Sequence, residues 1–302
     1  MWRLTPLLLL PILLGCTPNY TIVEHTDVSL PFGTQHTVQV EMANGPITIT
    51  TAKVKEVTGK VTKRGVGADK EEAEKELEAI DFDYKANDDG KMVIKVIRKD
   101  GNKHWNSSGA EAHLQIPSHC KLILITSNAR IQVTGKNLGT VAKTSNGSVT
   151  VKEVQAEVDV NTSNGAVSCS EVVGAAHIIT TNATVKVAGK QLLLDCKSSN
   201  GSISCRGDLQ TGQHLVQTTN AHVTVTLPKD IALQVEATTS NGKINNDFGM
   251  NKKDKVTKNS LKGLIGAGDV SKTLVLKTSN SSISLKRDKE VSSSSTVAVD
   301  VE

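Results

Sequence analysis

Thr144-Ser145-Asn146-Gly147, Thr162-Ser163-Asn164-Gly165 and Ser198-Ser199-Asn200-Gly201 are one phrase written three times. Thr126-Ser127-Asn128 belongs to the same series. Asn128, Asn146, Asn164, Asn182 and Asn200 stand 18 residues apart, and Asn220, Asn241 and Asn280 continue the series with small insertions. A fixed period of this length is the mark of a repeat architecture.

The residues around each asparagine show what one repeat is. Three positions after it stand Ile131, Val149, Val167, Val185, Ile203, Val223, Ile244 and Ile283, all β-branched. Four positions before it stand Leu124, Ala142, Val160, Ile178, Cys196, Val216, Ala237 and Leu276. Apolar and polar residues alternate with a period of two on both sides, the pattern of half-buried strands. Each unit of 18 residues therefore carries two short strands joined at the Asn turn. Fully extended, such a unit reaches about 60 Å, enough for one narrow loop of two strands and two corners. Loops stacked about 4.8 Å apart pair each strand with its copies above and below. The fold expected is all-β, a parallel β-solenoid, right-handed by the crossover rule.

Asn and Gly both tolerate positive φ, so the turn is expected to reverse tightly there, with Asn side chains bonded from coil to coil as a ladder. Asn182, Asn220 and Asn280 lack the following Gly. The hydroxyls two residues earlier, from Thr126 and Thr144 to Thr239 and Thr278, share the inward face and can satisfy corner backbone groups.

Composition agrees with a thin aliphatic core. The 302 residues include only two Trp, two Tyr and three Phe. The formal charge is +4, with no dense basic block and no aromatics for base stacking, which excludes nucleic acid as a partner.

Residues 1–15 read as an export signal: Arg3, then an apolar stretch from Leu7 to Leu14 that is too short to span a bilayer. Leu13-Leu14-Gly15-Cys16 resembles a bacterial lipobox. That resemblance implies cleavage before Cys16, acylation of Cys16 (palmitate among the acyl chains), and attachment to the membrane of the bacterial cell envelope, the outer one if the cell is Gram-negative. More than one acyl chain makes such attachment stable. Residues 16–27 are expected as a tether and the tail 288–302 as disordered.

Val38, Val40, Asn44-Gly45, Ile47 and Ile49 repeat the coil pattern 84 residues before Asn128. The solenoid is therefore assigned to 28–287, with an insertion at 53–117 that caps its N-terminal end. The insertion holds a helix from Ala68 to Ile80 capped by Asp69, and strands at Phe82–Lys85, Lys91–Arg98 and Ala112–Ile116. Residues 249–272 read as a Lys/Gly-rich loop before a last coil at Thr273–Lys286.

Together the export signal, the early N-G unit, the helix-bearing insertion and the T-S-N-G coils resemble the bacterial β-strand-repeat family of candidate adhesins. The resemblance covers about residues 28–287. It implies an envelope protein, often a lipoprotein, of undefined function.

No H-E-x-x-H, Walker, Rossmann or G-x-S-x-G motif occurs, and no cofactor is implied. One column carries chemistry: Asp159, His177 and Asp195 stand five residues before successive asparagines. Stacked outward, they could hold a metal or form an acid/base pair, or be a surface ion-pair ladder. Cys169 and Cys205 fall two coils apart in one column, beyond disulfide reach, whereas Cys196 and Cys205 flank one turn and could meet across the core if the sheets pinch there. With Cys120 they are expected as buried thiols, a Cys196–Cys205 pair being the alternative. The functional expectation is a non-enzymatic envelope lipoprotein with a structural or adhesin-like surface role, whose partner is an envelope protein or glycan. A polysaccharide-acting enzyme of β-helix type and a sensory or regulatory envelope module are the alternatives.

Overall fold

The computed structural model describes residues 20–288, apart from 88, 102–104, 106 and 268–269. The export signal, Cys16 and residues 289–302 lie outside the described residues.

The chain opens with β1 (Tyr20–Pro31), β2 (Thr37–Met42), β3 (Ile47–Ala52) and β4 (Glu56–Gly67). The helix α1 (Lys70–Glu78) is followed by β5 (Ile80–Ala86), β6 (Lys91–Arg98) and β7 (Gly109–Pro117). Next come β8 (Lys121–Thr126), β9 (Ile131–Thr134), β10 (Thr140–Lys143), β11 (Val149–Lys152) and β12 (Glu157–Asn161). The longer strands β13 (Val167–Ile179) and β14 (Val185–Lys197) bend around a corner. They lead to β15 (Ile203–Leu209), β16 (Gly212–Gln217) and β17 (Val223–Leu227). The last elements are β18 (Leu233–Thr239), β19 (Ile244–Asn246), β20 (Met250–Val256), β21 (Ser260–Ile265), β22 (Lys272–Thr278) and β23 (Ile283–Arg287).

These strands build two facing walls of a parallel β-solenoid. The first wall runs β5-β6-β2-β8-β10-β12-β13-β14-β16-β22-β18-β21-β20. The second runs β1-β4-β7-β3-β9-β11-β13-β14-β15-β17-β23-β19. β13 and β14 belong to both, giving their first halves to the second wall and their last halves to the first. Between the walls the inward columns meet as one aliphatic core, from Val28 at one end to Leu285 in the last strand. Alternation does this directly: β8 reads half-buried, buried, half-buried, buried through Leu122 and Leu124.

Coil order in space departs from chain order at both ends. The coil of β22 and β23 is last in sequence, yet it lies between the coil of β16 and β17 and that of β18 and β19. At the other end, the first coil, β2 and β3, lies between β6 and β7 on one side and β8 and β9 on the other. Each terminal coil of the sequence is thus clasped by strands on both sides, which ties down segments that otherwise fray.

Two expectations are corrected here. Residues 249–272 are not a loop: β20 and β21 form an antiparallel hairpin that pairs with β18, because Leu261 and Ile265 alternate into the core. Residues 20–27 are not a tether, since β1 pairs with β4 along its whole length from Tyr20 to Pro31.

The insertion closes the N-terminal end. The side chain of Asp69 accepts from the Glu72 N–H at 2.8 Å and starts α1, while Glu72 Oε2 accepts from the Ala68 N–H. Gly65 and Gly67 let the helix lie directly on β4; a Cβ on Gly65 would come within 2.2 Å of the Ala73 carbonyl oxygen. Arg98 fastens the cap, reaching Glu76 at 2.7 Å and Asp100 at 2.6 Å beneath Trp105.

At the Asn corner each side-chain amide donates to the previous coil. Asn128 donates to Asn44, and the series continues through Asn146, Asn164, Asn182, Asn200 and Asn220 at 2.6–3.0 Å. It then passes to Asn280 and ends at Asn241. The glycine after the asparagine does not serve positive φ, however. Among the ladder asparagines only Asn44 has a positive φ (52°), and Gly147, Gly165 and Gly201 have none. These glycines are small because the neighbouring backbone presses on them: a Cβ on Gly165 would lie 1.7 Å from the Gly147 carbonyl oxygen. Their N–H groups donate to the hydroxyls of Thr144, Thr162 and Ser198, so the inward hydroxyl row satisfies the corner.

Candidate functional site

The solenoid offers three outward features: one column on each wall and a groove at the corner opposite the asparagines.

On the first wall the register places Asp159 beside His177 and His177 beside Asp195. His177 Nδ1 meets Asp195 Oδ2 at 2.9 Å, and Lys197 Nζ meets Asp195 Oδ1 at 2.9 Å. Asp195 is therefore shared between two cations or donors, and the column continues only into Val141 and Leu215. The expected trio does not converge as a metal centre: among the described residues no group of three or more His, Cys, Asp or Glu could hold a metal ion. His177 and Asp195 are each 38% exposed, so the arrangement lies open to solvent.

On the second wall one column is polar across ten strands and faces outward except at Ser284, which is buried. In spatial order it is His113, Thr48, Gln132, Thr150, Ser168, Lys186, Ser204, Thr224, Ser284 and Asn245. Its members repeat at the strand spacing of about 4.8 Å and include no Phe, Tyr or Trp. Such a face can present hydroxyls and amides at regular intervals to a flat partner.

The groove was not legible as a site in the sequence. It has a volume of about 480 Å³ and is lined by Lys136, Glu153, Glu171, Val172, Val173 and Lys190, among others. Seven residues after their asparagines, Glu153 and Glu171 hold φ of 66° and 55°, at a corner where other coils have Gly135 and Gly207. A glutamate in that conformation is uncommon. The signal was there: two carboxylates where the coils of Asn128, Asn182 and Asn200 place Gly135, Gly189 and Gly207. Lys152 lies 3.2 Å from Glu171 and 4.0 Å from Glu153, so one ammonium serves both.

The buried thiols take no part in these surfaces. Cys120, Cys169, Cys196 and Cys205 are all free and buried. Burial pushes the thiols of Cys120 and Cys169 up to about 12. Hydrogen bonding with Cys205, together with burial, holds Cys196 well above its usual range. Cys120, Cys169 and Cys196 are therefore not reactive thiolates at neutral pH. His214 was likewise overlooked. It sits in the inward column, accepting from the Leu194 N–H through Nδ1 at 3.2 Å and bonding the Gln210 carbonyl through Nε2 at 3.0 Å. Burial lowers its pKa.

Among the described residues no helix is long and apolar enough to cross a membrane. No curated protein matches the chain. Solved structures similar to the chain include a candidate cell adhesion protein from Clostridium sporogenes ATCC 15579 and a candidate adhesin from Bacteroides fragilis NCTC 9343. The first is 14% identical, with 89% of this chain and 100% of the other covered and a TM-score of 0.29. The second is 9% identical, with 89% and 97% covered and a TM-score of 0.30. The Toastrack DUF4097 family profile matches residues 36–286, which takes in every complete coil, and the chain belongs to that family.

Proposed function

We propose that this chain is a non-enzymatic envelope lipoprotein whose second wall docks a protein or glycan of the cell surface. The observation that carries the reading is the ten-strand polar column from His113 to Asn245. Among the described residues it is a long surface without a pocket of converging reactive groups. Attachment through an acylated Cys16 belongs to the same proposal and rests on Leu13-Leu14-Gly15-Cys16. So does placement in the bacterial envelope.

Two measurements test it. Radiolabelled palmitate should enter the wild-type chain and not the Cys16→Ser variant; labelling of both would remove the anchor. Immobilised Cys16→Ser protein should retain a defined protein or glycan from envelope extract, and failure to retain either counts against docking.

A second reading, a polysaccharide-acting enzyme, has one observation in its favour, the groove with Glu153 and Glu171. It requires release of reducing ends from an envelope glycan by the wild type and its loss in Glu153→Gln/Glu171→Gln. Equal activity in both, or none in either, removes that reading.

A further inference from the structure

The two ends of the first wall differ in charge and shape, and they match. At the N-terminal end the outermost strand is β5, paired only with β6. Residues 69–86, covering α1 and β5, hold eight carboxylates against three lysines. At the C-terminal end the outermost strand is β20, paired only with β21. Residues 243–262 there hold six lysines against two aspartates.

Side-chain direction follows from the paired strands. Met92, Ile94 and Val96 of β6 are buried, so their partners Ala86, Tyr84 and Phe82 share the inward face and Asp81 and Asp83 face outward. Leu261 and Ile265 of β21 are buried, so Val256 and Met250 share the inward face, while Lys252 and Lys255 face outward. Tyr84 and Val256 are each 53% exposed, large apolar side chains left uncovered at opposite ends of one wall. Beside Val256 a hollow of about 360 Å³ is lined by Ile244, Phe248, Met250 and Leu261, with Lys253 and Asn246 among its polar members.

We propose that copies of this chain associate head to tail, β5 of one copy adding to β20 of the next. This goes beyond surface docking and does not depend on it. The occupant of the hollow is Tyr84 of the second copy, at its Met250 end, and in antiparallel order Asp81 lies against Lys255 and Asp83 against Lys252. Strand direction permits it. β20 runs parallel to the coils because both it and β18 are antiparallel to β21, whereas β5 is antiparallel to β6. Continuing the solenoid axis therefore sets β5 antiparallel to β20, which suits strand addition. Like edges are discouraged, because two β20 edges bring lysines together. The second wall offers no such match, since its ends are the twelve-residue β1 and the three-residue β19. A contact between two different ends is heterologous and propagates into chains rather than closing as a dimer.

The test uses the full chain in detergent, with bismaleimide cross-linking of single-cysteine additions; the four native thiols 120, 169, 196 and 205 are buried. Mixing Tyr84→Cys with Val256→Cys should give a cross-linked dimer, and either variant alone should give none. Sedimentation should show mass rising with concentration, reduced at least tenfold in affinity by Lys252→Glu/Lys255→Glu and restored when that variant is mixed with Asp81→Lys/Asp83→Lys. Unchanged circular dichroism melts establish that the variants are folded. Cross-linking of Val256→Cys alone as strong as that of the mixture, or a single-copy mass at all concentrations, overturns the proposal.

Discussion

Asn241 Nδ2 donates to Asn280 Oδ1 at 2.7 Å, although 39 residues separate them and Asn220 is the nearer neighbour in sequence. Asn280 in turn donates to Asn220 at 2.6 Å. The last coil of the chain is a wedge between two earlier ones, and the hairpin of β20 and β21 exists to bring the chain back to it.

The wedge predicts an order of amide protection. Leu276 in β22 has paired strands on both sides, β16 and β18. β20 is paired on one side only. Hydrogen exchange should therefore find Leu276 as slow as Val216, and Lys253 at least tenfold faster, although Leu276 is nearer the end of the sequence. Fast exchange at Leu276, as in a fraying terminus, would contradict the coil order.

The glycines of the N-G turns predict a position-specific cost. A Cβ on Gly201 would stand 1.6 Å from the Ala183 carbonyl oxygen, whereas Gly249 has nothing within 4 Å of the same position. Gly201→Ala should lower stability by about 2–3 kcal/mol, as overpacking against backbone does, and Gly249→Ala should change it by less than about 0.5 kcal/mol. Denaturant midpoints of the two variants check this directly.

The solenoid itself was legible because every coil repeats its inward column, so Ile131, Val149 and Val167 declare one another. Coil order was not, because Asn241 and Asn280 carry the same local pattern and nothing local to either says which one lies beside Asn220. The hairpin was hidden by its lysines: β20 is an edge whose residues from Asn251 to Val256 are all exposed, so it has no buried row to read. β1 was missed for the same reason, being mostly exposed before Val28. The Asp159, His177 and Asp195 column was visible, but its chemistry turned on Lys197, which arrives from the next outward position on the same strand and takes the second oxygen of Asp195.

His214 predicts a pH dependence. Burial holds its pKa below the unfolded value, and Nδ1, which accepts from the Leu194 N–H, must stay bare, so the folded protein favours neutral imidazole. The unfolded chain then binds the extra proton first as pH falls. The contribution is fully present above the unfolded pKa of about 6.5 and is lost progressively as pH falls from there toward the folded pKa. Subtracting the pH–stability curve of His214→Gln from that of the wild type should leave a difference that is flat above pH 7 and declines below about 6.5. A difference that stays flat from pH 7.5 to 5 would contradict the assigned tautomer.

The most direct test of the account is to break the polar column without touching the core. Thr150, Ser168 and Ser204 are exposed and lie in one outward column, so Thr150→Arg/Ser168→Arg/Ser204→Arg should leave the melting curve within about 2 °C of wild type. Retention of the ligand captured from envelope extract should fall at least tenfold. Undiminished retention by this folded variant would contradict the claim that the second wall is the docking surface.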